Sequence, residues 1–162
     1  MAIREVRTEG DPVLRKECKP VKEMNDRLLE LIDDMFDTMY AANGVGLAGP
    51  QVGILKQLCV IDCGMEEPEP LVLINPVVTP LDGIQTGEEG CLSVPGYQGI
   101  VTRAEYVRVN FLNEDMEECE LEADGLLSRC IQHETDHLHG ILYTDKVEGG
   151  LTKVTAEGED AE

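Results

Sequence analysis

The chain has 162 residues, of which 42% are hydrophobic and 28% charged, a length and composition that suit one folded domain and exclude a fibrous or disordered chain. Lysine and arginine number 13 against 33 aspartates and glutamates, a formal charge of −20, so repulsion from phosphate argues against nucleic acid or an anionic membrane as the main ligand. The longest apolar runs, such as Leu71 to Ile74, fall far short of the ~20 residues of a membrane-spanning helix.

The first residues, Met-Ala-Ile-Arg-Glu, show no apolar signal core, and cysteines 18, 59, 63, 91, 119 and 130 read as reduced thiols in a chain of this size. The expected compartment is the cytoplasm. A first helix is expected from Asn25 to Ala42, where Leu28, Leu31, Ile32, Met35, Phe36 and Met39 repeat at three and four residues. Asn25 suits its N-cap, and Asn43-Gly44 a left-handed stop.

A glycine-rich stretch, Gly44 to Gly53, follows, and then a strand over Gln57 to Cys63 whose alternation puts Cys59, Ile61 and Cys63 on one buried face. These two thiols read as core packing. After a solvated Glu/Pro loop, Leu71 to Asn75 is expected as a short strand ended by Pro76. Val101 to Phe111 reads as one longer strand with Val107, Val109 and Phe111 on a single face, turning at Asn113 to Glu118 into a partner, Cys119 to Ala123.

Asp124 is placed to cap a second helix, on which Leu126, Cys130, His133 and His137 fall at spacings of four, three and four. The imidazoles therefore face inward. Gly140 should end this helix, Ile141 to Tyr143 adds a short strand, and from Glu148 the chain turns glycine-rich and acidic, as a mobile tail would. There is no internal repeat and no linker to divide the chain.

The strongest chemical signal is His133-Glu134-Thr135-Asp136-His137. Two imidazoles one helical turn apart can chelate one metal ion, and the carboxylate beside the first can take a proton from water at that ion. His139 projects away from His137 and is a bystander. Two histidines need a third ligand, for which the residues alone offer Asp145 or Glu148 downstream or a cysteine upstream. Cys91 stands out because Gly87 to Gly96 is bracketed by Gly and Pro, where backbone can approach a site closely.

Three segments together, Gly44-Val45-Gly46-Leu47-Ala48-Gly49-Pro50-Gln51, Glu89-Gly90-Cys91-Leu92-Ser93 and Gln132-His133-Glu134-Thr135-Asp136-His137, resemble in order and separation the signature motifs of the peptide deformylases. The resemblance runs from about Ile3 to Val147, and residues 1–147 are accordingly expected to form the catalytic domain, with 148–162 as an acidic tail. It implies an α+β fold with antiparallel sheets around a central helix that carries both histidines. It further implies that Cys91, His133 and His137 hold the metal, that Glu134 is the general acid and base, and that Gln51 and the Leu92 N–H bond the oxyanion.

The implied reaction is hydrolysis of the N-formyl group from the initiator methionine of new polypeptides, with release of formate. Chemistry at these positions agrees: an amide and a backbone N–H are suitable donors toward developing oxygen charge, and a carboxylate can serve both proton transfers. Val45 and Gly46 are candidates for substrate backbone contacts, because an extended glycine-containing segment lets a peptide add as a strand. Leu126 and Cys130 are candidates for the methionine pocket. A thiolate with two imidazoles suits Fe²⁺ or Zn²⁺; the resemblance implies that iron is native and zinc a less active replacement.

Gly49 stands where an alanine is common in the first motif, and Gln98 where some members carry a basic residue near the peptide. Gly149, Gly150 and the acidic run to Glu162 do not form the long C-terminal helix that many members use at the ribosome, so contact by that route is expected to be weak. Two rival readings remain at this level. One is a zinc peptidase that uses Asp145 or Glu148 in place of Cys91; the other is a metal-binding protein without activity.

Overall fold

The computed structural model describes residues 3–64 and 70–153. Helix α1 (Asp26–Ala41) starts on Asn25, whose side-chain oxygen accepts from the Leu28 N–H at 2.8 Å. It stops where Asn43 turns left-handed at φ 59° and the Gly44 N–H reaches the Met39 carbonyl at 2.9 Å, so asparagine rather than glycine supplies the stop.

Two antiparallel sheets follow. The larger has the strand order β1-β2-β3-β6-β7, formed by β1 (Gly46–Ala48), β2 (Leu58–Ile61), β3 (Leu71–Pro80), β6 (Val107–Leu112) and β7 (Glu118–Ala123). The smaller has the order β4-β5-β8, from β4 (Ile84–Cys91), β5 (Val94–Ala104) and β8 (Glu148–Lys153). With α1 and α2 (Gly125–His137), the fold is α+β.

Strand alternation assigns each helix its own face of the larger sheet. Leu58 and Val60 of β2, with Val72 and Ile74 of β3, pack with Leu31, Ile32, Met35 and Met39 of α1. Their neighbours Cys59, Ile61 and Leu73 turn the other way, join Val107, Val109 and Phe111 of β6, and pack with Leu127, Cys130 and Ile131 of α2. All four residues of β2 are buried as a result, as expected for a strand covered on both sides. The smaller sheet meets α2 from elsewhere: Arg129 donates to the Val101 carbonyl of β5 at 3.1 Å, and Gln132 to that of Ala104 at 2.9 Å.

Several elements depart from the sequence expectation. Strand β3 does not end at Pro76. It runs on to Pro80 through a register shift in which Asn75 adopts φ 51°, a conformation asparagine tolerates. The Asn75 side chain exchanges two hydrogen bonds, both 2.8 Å, with the Val21 backbone, and the irregularity accommodates a proline with no N–H to donate. The expected single strand over Val101 to Phe111 is likewise two strands in different sheets. It breaks at Glu105 and Tyr106, whose N–H groups bond the carbonyls of Gly83 and Asp82.

Tyr143–Asp145 forms a 3-10 turn, not the expected short strand, because the Asp145 carboxylate folds back to accept from the Leu142 N–H at 3.1 Å. Glu148–Lys153, read from sequence as the start of a mobile tail, pairs with β5 as β8, with all its side chains exposed; the rest of that expected tail, 154–162, lies outside the described residues. Among the described residues no helix is long and apolar enough to cross a membrane.

Candidate metal centre and substrate cavity

Helix α2 and the β4–β5 hairpin bring the chemistry together. His133 and His137 lie one turn apart on α2 and are 8% and 0% exposed. Cys91 is the last residue of β4, where the hairpin register shifts, and its Sγ lies 3.3 Å from His137 Nε2. One donor atom from each of Cys91, His133 and His137 falls within 4.8 Å of the other two. A tetrahedral ion with bonds of ~2.3 Å to sulfur and ~2.0 Å to nitrogen separates two such ligands by ~3.5 Å, so the spacing fits. Asp145, a rival third ligand, is instead engaged by Arg15 at 2.6 Å.

Sequence reasoning missed the residue that organises this cluster. The Glu89 carboxylate, 6% exposed, pairs with Arg103 through both oxygens, takes Arg129 Nη1 at 2.6 Å and meets His133 Nδ1 at 2.9 Å. Arg103 also reaches Asp136 at 3.0 Å, so these buried charges compensate one another. Burial opposes ionisation of Glu89, but the His133 and Arg103 contacts outweigh it and hold the carboxyl at about 2. With Glu89 taking the Nδ1–H, His133 keeps the lone pair of Nε2 for an ion. The local signal was slight: Glu89 sits in a motif, but its partners are far away in sequence.

His137 offers the complementary case. Burial, reinforced by nearby His133, drives its pKa well below the usual histidine value, and its Nδ1 is a buried atom without a hydrogen-bond partner. A neutral imidazole of this kind suits coordination. Burial makes protonation of His133 harder, yet Cys91 and Glu89 raise its pKa to about 10, which marks a place where positive charge is favoured. The donor set, one thiol and two imidazoles, therefore fits a divalent first-row metal.

Glu134 is 5% exposed, and its Oε1 is buried without a hydrogen-bond partner among the described residues. Burial lifts its carboxyl to about 7, with His133 opposing the rise; a bound cation would pull it down again. Gln51, 1% exposed, is anchored through Oε1, which accepts from the Ala48 N–H at 2.9 Å, while Nε2 faces Ser93 Oγ at 3.1 Å and Cys91 Sγ at 3.5 Å. The 3-10 turn Gly49–Val52 holds it there.

These groups open into a cavity of about 420 Å³. Gln51, Cys91, Leu92, His133 and Glu134 line it, and so do the expected substrate contacts Val45, Gly46, Leu126 and Cys130. Leu126 remains 54% exposed, unlike the buried Cys130, so it forms a rim and not a floor. Among the described residues strand β1 pairs with β2 on one side only, which leaves its other edge without a strand partner there. A Cβ on Gly46 would stand 2.5 Å from Glu134 Oε2, so only glycine lets β1 pass this close to the carboxylate. His139, the bystander, pairs with Glu17 at 2.6 Å on the surface.

Known proteins are similar to this chain over nearly its whole length. The family model "Polypeptide deformylase" matches residues 3–152. A peptide deformylase of Agathobacter rectalis is 59% identical over 97% of this chain and 98% of its own length, and one of Lachnoclostridium phytofermentans is 52% identical over 100% and 99%. Among solved structures, a Synechococcus elongatus peptide deformylase in complex with actinonin superposes with a TM-score of 0.85 at 49% identity, covering 90% of this chain and 79% of that one. The Thermotoga maritima peptide deformylase gives 0.86 at 40% identity, covering 90% and 98%. With the match spanning nearly the whole chain, this protein belongs to the polypeptide deformylase family.

Proposed function

We infer that Cys91, His133 and His137 hold the ion and that Glu134, Gln51 and Leu92 perform the chemistry of the family activity. That activity is metal-dependent hydrolysis of the N-formyl group from nascent polypeptides. The convergence of one thiol and two imidazole donors within 4.8 Å, two of them, Cys91 and His133, lining the cavity beside Glu134, carries the reading. When bound, the divalent ion supplies Lewis acidity toward a carbonyl oxygen and toward water.

The chain's residues do the rest. Glu134 takes a proton from the attacking water and returns it to the departing amine nitrogen, a two-way role open to a buried carboxylate that lines the cavity. Gln51 Nε2 and the Leu92 N–H donate to the former formyl oxygen as it gains charge, each such donor being worth ~3 kcal/mol of barrier. The peptide lies along the free edge of β1 at Val45 and Gly46, and the initiator methionine side chain enters between Leu126 and Cys130. Glu89 keeps His133 in the right tautomer.

Iron is the native ion in this reading, with zinc a less active substitute. Support comes from the soft, mixed donor set and from the family resemblance. Cys91→Ala tests the assignment: the protein should lose bound metal and formate release from a formyl-methionyl tripeptide together. A variant that keeps one metal per chain refutes the ligand set. Air exposure of the anaerobically purified enzyme should abolish most activity, and full activity with zinc alone refutes the choice of iron.

A further inference from the structure

Two thiols that this mechanism does not use as thiols meet, and one of them, Cys130, lines the cavity. Cys63, just past the end of β2, brings its Sγ to 3.6 Å from Cys130 Sγ on α2. Both cysteines are free. Cys130 is 6% exposed and lines the cavity, whereas Cys63 is only half-buried. Sequence reasoning gave Cys63 no role, because the contact spans 67 residues.

We propose that Cys63 and Cys130 are a disulfide-forming pair, oxidised by peroxide, whose bridge ties the metal-bearing helix to the end of β2 and lowers turnover. The sulfurs need to close by ~1.5 Å to reach bonding distance, a movement within reach of side-chain rotation. The contact with Cys130 pulls the Cys63 thiol below its usual value, against the opposing effect of burial. The more accessible sulfur is thus also the better nucleophile.

The chemistry balances with hydrogen peroxide as oxidant. Cys63 thiolate attacks one peroxide oxygen; an S–O bond forms, the O–O bond breaks, and hydroxide leaves as water with the proton Cys63 had released. Cys130 sulfur then attacks Cys63 sulfur; the S–S bond forms, the S–O bond breaks, and the second hydroxide departs as water with the Cys130 proton. Two thiols are oxidised and one peroxide becomes two waters.

The effect on turnover rests on the function proposed above; bond formation does not. Cys130 lies one turn before His133 on α2, so a shift at Cys130 disturbs both the methionine pocket and the ligand turn. A displacement near 1 Å can cost on the order of 100-fold in rate, and a fall of at least about tenfold in kcat/KM is expected here.

The test uses the zinc-loaded full chain, since zinc has no redox chemistry of its own. Formate release is measured first, which checks the functional reading separately. After limited peroxide the intact mass should fall by two hydrogens, with fragment spectra joining Cys63 to Cys130. Dithiothreitol should restore mass and kcat/KM together. Cys63→Ser should start with unchanged activity and show neither the bridge nor the reversible loss, and Cys119→Ser should behave as the parent. Oxidation that adds oxygen at Cys91 while Cys63 and Cys130 remain alkylatable overturns the pair. A bridge that forms with kcat/KM unchanged overturns its coupling to the pocket.

Discussion

On the α1 side of the larger sheet, Leu58, Val60, Val72 and Ile74 meet Leu31, Ile32, Met35 and Met39. On the α2 side, Cys59, Ile61 and Leu73 meet a helix that also carries Arg129, His133, Glu134 and His137, all buried. Both faces arise from the same alternation of strand side chains, yet they are held differently. The first needs apolar volume. The second carries ionic groups that are tolerable only because Glu89, Arg103, Arg129 and Asp136 neutralise one another. The molecule therefore separates a stability core from a reaction core by the thickness of one sheet.

Glu134→Gln should break the reaction core most severely. Formate release should fall by ~10³-fold, because the shape is kept while the proton acceptor is gone. Metal content and thermal midpoint should not fall, since all three expected ligands remain and Oε1 has no hydrogen-bond partner among the described residues to strand. A variant retaining more than a tenth of parental kcat would remove Glu134 from its role.

Glu89→Ala should damage stability and metal binding together. It leaves two buried guanidinium groups without their shared carboxylate, a loss of roughly 3–5 kcal/mol, and it frees the His133 ring, for which a 10- to 100-fold loss of metal affinity is typical. Glu89→Gln sharpens the comparison: its amide oxygen can still accept from His133 Nδ1, so metal affinity should largely return while the thermal midpoint stays low. If both variants bind metal as the parent does, Glu89 does not position the ring.

The sequence made one side of this division far more legible than the other. Helix α1, its asparagine cap and the inward face of β6 follow from residues three, four or two apart, and so does the turn-spaced histidine pair on α2. The rest depends on partners distant in the chain. Strand β4, with two glycines and two glutamates in eight residues, and the glycine- and proline-containing first half of β5 do not announce themselves, and their order comes from pairing with each other. The role of Asn75 requires the Val21 backbone. Glu89 is surrounded by residues 14, 40 and 44 positions away, a separation that no local periodicity records.

Gly46→Ala tests how closely β1 must approach the acid. The added methyl would stand 2.5 Å from Glu134 Oε2 and 2.9 Å from its Cδ and Cγ, so this buried side chain must shift, with a loss of about 1–3 kcal/mol in stability. A fall in kcat of about 10- to 100-fold is expected, with KM changed less. Parental kcat would mean that Glu134 has other room to move.

Met35→Leu addresses the opposite face and should have the smallest effect. Met35 is fully buried in the α1 cluster, and a volume-conserving swap between these two side chains usually costs less than ~1.5 kcal/mol. The branched side chain either settles into the space among its neighbours or pushes them by a few tenths of an ångström, and the thermal midpoint reports which. Formate release per metal-loaded chain should not change, because Met35 itself does not line the cavity and a volume-conserving swap leaves Leu92, which packs against the same cluster, in place. If this substitution altered kcat, the two faces would not be independent: packing against α1 would set the position of β1, and through Gly46 that of Glu134.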